Sequence, residues 1–180
     1  MGRRDEGDFL EFASSASDGM RRTAYLMCGD WHRAADFTQE ALVRLYLVWP
    51  RLDKHAGLYR YARQTVVNVA IDAARKRSSG ELPSHTAMTE RGTEDSAAQV
   101  ADRLLLMQAL AELPARQRAC VVLRYYEDLG VDEVASLLGC RPGTVKSQTA
   151  RGLEALRRSF GRRGGELKTE RQEAREATTW

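Results

Sequence analysis

The sequence of 180 residues has no long hydrophobic run, only four prolines and only three cysteines. No apolar stretch approaches the ~18 to 20 residues that a membrane-spanning helix needs, so we predict no membrane insertion. The charged N-terminus leads into no apolar segment of signal-peptide length, which favours a cytoplasmic protein. The modest glycine and proline content excludes collagen-like and low-complexity chains.

The three cysteines, Cys28, Cys120 and Cys140, are odd in number and far apart. They form no C-x-x-C pair, so the pattern predicts reduced, separately placed thiols rather than a disulfide scaffold. Cys28 and His32 supply only half of a zinc ligand set, and the sequence has neither a nucleotide-binding loop nor a nucleophile elbow. We therefore predict no metal, no cofactor and no catalytic residue, and a protein that is not an enzyme.

The net charge of +3 is small, but the charge is unevenly placed. Residues 58–79 carry a net charge of +4 and residues 141–163 one of +6, in a chain that is otherwise mildly acidic. Two short basic segments indicate two separate contacts with a polyanion. Taken alone, either segment is equally consistent with a solvated, arginine-rich surface.

Helical periodicity governs the first part of the chain. The pattern predicts helices within residues 8–50, broken at Gly29, with Asp30 as the cap of the second helix and Pro50 as its stop. A third helix is predicted over residues 57–77. The apolar face of the second helix is predicted to comprise Ala35, Leu42, Leu45, Tyr46 and Trp49.

Residues 79–103 are rich in serine, threonine and acids without periodicity, so they are predicted to be a flexible linker. Helical patterns return from Leu104, and the last predicted helix runs from Pro142 to Phe160. Residues 161–180 are predicted to be a flexible extension. No stretch has the alternation of a strand. The predicted fold class is all-α, with two small helical domains joined by the linker.

One segment has the spacing of a helix-turn-helix. Ala135, Gly139 and Val145 stand where such a motif needs a small residue, a turn glycine and an aliphatic anchor. The second helix of the motif then presents polar and basic side chains of the kinds that contact base edges and phosphates. These side chains are Thr144, Lys146, Ser147, Gln148 and Arg151, with Arg141 just before the helix. The competing interpretation is a purely structural helical hairpin.

The third predicted helix carries the other basic segment. Asn68, Asp72, Arg75 and Lys76 share one face by their spacing, and Arg60 and Arg63 lie one to two turns upstream. A basic helix with an amide and nearby tyrosines can hold single-stranded DNA through phosphate contacts and stacking. The alternative is that Asn68 and Asp72 only satisfy local backbone or ion-pair needs.

Three motifs in the second half of the chain carry a family resemblance. The motifs Leu113-Pro-Ala-Arg-Gln-Arg-Ala, Val122-Leu-Arg-Tyr-Tyr-Glu-Asp-Leu and Gly143-Thr-Val-Lys-Ser-Gln-Thr-Ala-Arg follow one another in the second half of the chain. Together with the first half, they resemble the extracytoplasmic-function (group 4) sigma factors of the sigma-70 family, in the actinobacterial branch. The resemblance covers about residues 8–160.

The resemblance implies a function and a domain plan. A sigma factor of this type binds core RNA polymerase, recognises the −35 and −10 promoter elements and promotes DNA melting for transcription initiation. Residues 8–78 resemble the sigma-2 domain and residues 104–160 the sigma-4 domain, with 79–103 as the linker and 161–180 without a counterpart. The implied partners are promoter DNA and core polymerase, through its β′ clamp coiled coil and β flap, and an anti-sigma factor is a further candidate partner.

The resemblance also implies roles for individual residues. The set implied to dock on core polymerase is Asp36, Phe37, Gln39, Glu40 and Arg44. The set implied to contact −10 DNA is Arg60, Arg63, Asn68, Asp72, Arg75, Lys76 and Arg77. The set implied to contact −35 DNA is Arg141, Thr144, Lys146, Ser147, Gln148 and Arg151. Many relatives have an aromatic residue where this chain has Ala74, so stacking at that position is not expected here.

Two other functions are alternatives to that of a sigma factor. A dimeric helix-turn-helix regulator would bind operators without polymerase and would leave the helix containing Asp36 and Arg44 without a role. An enzyme would need a carboxylate pair, for which Asp72 and Glu40 are the candidates, but no motif supports one.

Overall fold

A computed structural model describes residues 6–52, 57–78 and 97–177, and all regular structure within these ranges is helical. The all-α prediction is therefore confirmed. The helices are α1 (Glu6–Cys28), α2 (Trp31–Val48), α3 (Leu58–Ser78), α4 (Ala97–Glu112), α5 (Ala115–Val121), α6 (Val131–Leu138) and α7 (Pro142–Ala177). Most of the predicted linker lies outside the described residues. No described helix combines the length and the apolar character that crossing a membrane requires.

Local sequence signals set the ends of the first helices. Gly29 adopts a positive φ of 75°, which ends α1 where the sequence predicted a break. The Asp30 carboxylate then caps α2 by accepting the backbone N–H groups of His32 at 2.8 Å and Arg33 at 3.0 Å. Pro50 lies in a short 3₁₀ turn directly after α2, so that helix stops as predicted.

The core of the first half forms where α1, α2 and α3 pack on one another. Phe12 of α1, Leu45 of α2 and Val66 of α3 are buried together with Trp49. Four of the five predicted inward residues of α2 are fully or partly buried. Tyr46 is the exception, because it is 48% exposed, although its ring makes an edge-to-face contact with that of Phe9, with centroids 5.0 Å apart.

Two helices are longer than predicted. α4 begins at Ala97 rather than at Leu104, since the alanines before the leucine run are strong helix formers. α7 continues to Ala177, well beyond the predicted end at Phe160. The residues after Gly165 are mostly Glu, Lys, Arg, Gln and Ala, whose helix propensity outweighs the glycines that suggested a break.

The two halves of the chain pack against each other along a seam, in which α1 meets α4 and α5 while α3 meets α5 and α6. Arg118 of α5 spans this seam. Its guanidinium donates to the carbonyl of Met27 at the end of α1, and to Ala111 at 2.8 Å and Leu113 at 3.0 Å at the end of α4. Carbonyls at helix C-termini lack intrahelical partners and carry partial negative charge, so this half-buried arginine stabilises both ends.

An aromatic stack lies at the same seam. The rings of Tyr25 and Trp31 stack with centroids 4.1 Å apart. The Arg103 guanidinium of α4 lies 5.7 Å from the Tyr25 centroid and 5.9 Å from that of Trp31. These cation–π contacts join the start of the second half to the first half.

Candidate nucleic-acid and polymerase interfaces

The helix-turn-helix has the geometry that its spacing predicts. Ala135 and Val145 are buried, which lets α6 and α7 approach closely. Gly139 has a φ of 60°, the left-handed conformation that ends α6, and the following Cys140 N–H donates to the Ala135 carbonyl at 3.0 Å. At the other end of α6, the Glu133 carboxylate accepts the Gly130 N–H at 2.7 Å.

The start of α7 offers a polar and basic surface. Arg141, Lys146, Ser147 and Arg151 are exposed, whereas Thr144 and Gln148 are half-buried. The Ser147 hydroxyl donates to the Thr144 carbonyl at 3.0 Å, which leaves its oxygen as an acceptor. The six predicted −35 residues therefore lie together at one end of one helix.

The predicted −10 residues lie along α3. Arg75 and Lys76 are exposed in its last turn, and Arg77 and Asn68 are half-buried. Asp72 faces Arg75 at 3.6 Å in a pair that is largely exposed. The C-terminal end of α3 is therefore strongly basic, which suits both the helix dipole and a phosphate backbone.

The exposed face of α2 carries charged, polar and apolar side chains. Asp36 and Gln39 are exposed, and Glu40 is paired with Arg44 at 2.6 Å. Phe37, also predicted on this face, is instead buried, so it packs in the core beneath the exposed residues. The sequence-based site omitted two apolar members of the face, which are Val43 at 60% exposure and Leu47 at 72%. Both fall outside the inward stripe of α2, and that is the signal that could have identified them.

Parts of the two candidate DNA-binding surfaces face each other. A cavity of about 260 Å³ is lined by Asn68 and Asp72 from α3 and by Thr144 and Gln148 from α7. In this closed arrangement, in which the two halves of the chain are packed together, these four side chains are half-buried.

Polar contacts hold this arrangement at the seam. The Arg63 guanidinium lies 2.7 Å from the Glu127 carboxylate, and both side chains are largely buried. The Thr23 hydroxyl also donates to Glu127, and Arg60 donates to the Ser136 hydroxyl. Two of the predicted −10 residues are therefore engaged by the second half of the chain.

The cysteines behave as separate thiols in the described structure, which contains no disulfide. Burial raises the pKa of Cys28 to about 11, despite the opposing effect of a hydrogen bond to the Asp30 backbone. Burial likewise raises the pKa of Cys120 to about 11. Both thiols are therefore protonated at neutral pH, so neither is an activated nucleophile.

Comparisons with known proteins agree with this geometry. Residues 15–80 match the family model described as Sigma-70 region 2, and residues 103–156 match Sigma-70, region 4. The chain is 34% identical over 169 residues to the RNA polymerase sigma-E factor of Streptomyces avermitilis, covering 94% of each chain. It is 34% identical over 143 residues to the ECF RNA polymerase sigma factor SigL of Mycobacterium tuberculosis, covering 76% of this chain and 79% of SigL.

The chain belongs to the extracytoplasmic-function sigma factors of the sigma-70 family. Its fold is also similar to the sigma factor RpoE, solved in complex with the anti-sigma factor NepR from Bartonella quintana. That match has a TM-score of 0.71 at 20% identity and covers 86% of this chain and 97% of RpoE.

Family membership gives each half of the structure its place. The region 2 match spans most of α1 and all of α2 and α3, and the region 4 match runs from α4 into α7. This sigma factor binds core RNA polymerase, recognises the −35 and −10 promoter elements and promotes melting for initiation. The operator-binding regulator is not favoured, because it leaves the whole region 2 half without a role. Sigma factors are not enzymes.

Proposed function

We propose that this sigma factor uses three separate surfaces to bind −35 DNA, −10 DNA and core polymerase. The start of α7 is the proposed −35 surface. The observation that carries this assignment is the helix-turn-helix itself, whose buried anchors leave the polar N-terminal half of α7 exposed. A helix presented in this way enters the major groove with its first turns against the base edges. Gln148 is placed to read a base, whereas Arg151 contacts phosphate.

The basic end of α3 is the proposed −10 surface. Arg75, Lys76 and Arg77 supply phosphate contacts, and Asn68 and Asp72 offer hydrogen bonds to bases that have left the stack. Unstacking a base costs a few kcal/mol, which contacts formed only with the displaced strand can offset. Arg60 and Arg63 join this surface once they leave their partners in the second half.

The exposed face of α2 is the proposed dock for core polymerase. Asp36, Gln39, Glu40 and Arg44 provide the polar contacts, and Val43 and Leu47 supply apolar surface whose burial favours association. The β′ clamp coiled coil is the proposed partner of this face. The sigma-4 half is proposed to meet the β flap, and an anti-sigma factor is a proposed regulator.

The proposed domain plan is a sigma-2 domain over 8–78, a linker over 79–103, a sigma-4 domain over 104–160 and an extension over 161–180. Because some members of the −10 and −35 surfaces are covered at the seam, the two halves are proposed to separate when the promoter binds. The proposed place of action is the cytoplasm, and the chain itself catalyses no reaction.

The experiment compares Gln148→Ala with Arg151→Ala in reconstituted holoenzyme, on promoters that vary at each −35 position. Gln148→Ala is expected to change which base is preferred, with a loss of ~1 to 3 kcal/mol confined to one position. Arg151→Ala is expected to weaken all promoters alike and to reduce the salt dependence of binding by about one counterion. Arg157→Ala, at an exposed position further along α7, is the control. An equal, uniform loss for Gln148 and Arg151 would contradict the assignment.

A further inference from the structure

A second pocket lies at the seam, away from the cavity between the DNA-binding surfaces. Its volume is about 310 Å³. Arg33 lines it from the first turn of α2, and Ala70, Ala74 and Arg77 line it from one face of α3. Arg118 of α5 completes it from the second half of the chain. The two alanines have small side chains, which keeps the α3 wall of the pocket low.

The pocket is positively charged without a counter-charge in its wall. Three arginines and no aspartate or glutamate are found among the described residues that line it. Asp30 is not among them, and its carboxylate is already occupied by two backbone N–H groups of α2. Elsewhere at the seam, an arginine in a comparable position has a carboxylate partner, as Arg63 has Glu127.

Arg118 is the most constrained of the three cations. Its Nη atoms donate to carbonyls, but its buried Nε has no hydrogen-bond partner in the described structure. Burial lowers the pKa of Arg118, Cys28 opposes this effect, and the nearby positive charge of Arg33 lowers the pKa further. Two like charges thus share a partly desolvated site, which an anion would relieve.

We infer that this pocket binds a phosphoryl group, carried by a small phosphate ester or by a nucleic-acid strand. Arginines from three helices line the pocket, and such a set suits an oxyanion with several equivalent oxygens, because each guanidinium is a positively charged donor. Arg33 and Arg77 belong to the first half and Arg118 to the second. The bound anion therefore bridges the halves and stabilises the closed arrangement.

The test is calorimetric titration of the full chain with inorganic pyrophosphate, at constant ionic strength, beside a titration with a short single-stranded oligonucleotide. Arg33→Gln removes one pocket cation and lies in none of the proposed DNA or polymerase surfaces. Arg22→Gln removes the same charge from an exposed position of α1 outside the pocket. We expect one pyrophosphate site, weakened at least roughly tenfold by Arg33→Gln and unchanged by Arg22→Gln.

The outcomes separate the possible sources. Pyrophosphate binding that depends on Arg33 identifies a small phosphate ester, and oligonucleotide binding with the same dependence but no pyrophosphate binding identifies a strand phosphate. Equal losses for Arg33→Gln and Arg22→Gln, or no binding of either probe, would overturn the site. Melting curves of each variant establish that the loss is not one of folding.

Discussion

The Arg63–Glu127 ion pair is the contact whose loss should most clearly open the closed arrangement. Glu127→Gln keeps the shape of the side chain and its hydrogen bond with Thr23, but leaves the Arg63 guanidinium without its charged partner. The two side chains retain 27% and 13% of their exposure, so the pair is partly desolvated. Hydrogen bonds that involve charged groups contribute ~1.5 to 3 kcal/mol, and residual screening favours the lower end.

A loss of ~1.5 kcal/mol corresponds to roughly a tenfold increase in the ratio of open to closed molecules. When the open state that binds DNA is rare, the apparent affinity of the free chain for DNA rises in proportion to the population of that open state. We therefore expect Glu127→Gln to bind a −35 duplex about tenfold more tightly than the unmodified chain in the absence of polymerase. Fluorescence anisotropy with a labelled duplex measures this directly.

The control must change the charge without touching the seam. Glu154→Gln does so, because Glu154 pairs with Arg158 within α7 and both side chains are 65% exposed. Any gain that this variant shows is the non-specific effect of one lost negative charge. If Glu127→Gln and Glu154→Gln raise the affinity equally, the ion pair does not hold the closed arrangement and the reasoning is refuted.

Two further predictions concern packing and the thiols. A Cβ at Gly152 would lie 2.7 Å from Val121 Cγ2, so Gly152→Ala should lower stability by ~1 to 3 kcal/mol in thermal melts. Gly161→Ala, where nothing lies within 4 Å, should instead stabilise α7 by up to ~1 kcal/mol, and equal effects would contradict this. Because burial raises the pKa of Cys28 and Cys120 to about 11, their alkylation at pH 8 should be far slower than in the unfolded chain. Rapid labelling of either thiol in the folded chain, followed by mass spectrometry, would show that it is not buried.

Much of the local structure could be predicted because the relevant signals are short in sequence. The cap at Asp30, the stop at Pro50 and the turn at Gly139 each act on the residues beside them. The helix-turn-helix was predictable for the same reason, since Ala135 and Val145 meet within one motif. The continuation of α7 beyond Phe160 was not predicted, because the glycines there suggest a break, whereas the charged residues and alanines around them favour helix.

The seam could not be predicted in this way. Arg63 and Glu127 lie far apart in the chain, and neither carries a local signal of its partner. The motif around Arg118 identified the family but not the two helix ends that its guanidinium joins. The burial of Phe37 depends on how α2 packs on its neighbours, which its position next to exposed docking residues did not reveal.

The most direct test of the account is transcription by sigma-free core RNA polymerase supplemented with this protein, on sheared DNA from the source genome, with mapping of transcript 5′ ends. The account predicts discrete starts that depend on the added chain and are preceded by two short sequence boxes at fixed spacing. DNA binding without any such polymerase-dependent starts would contradict it.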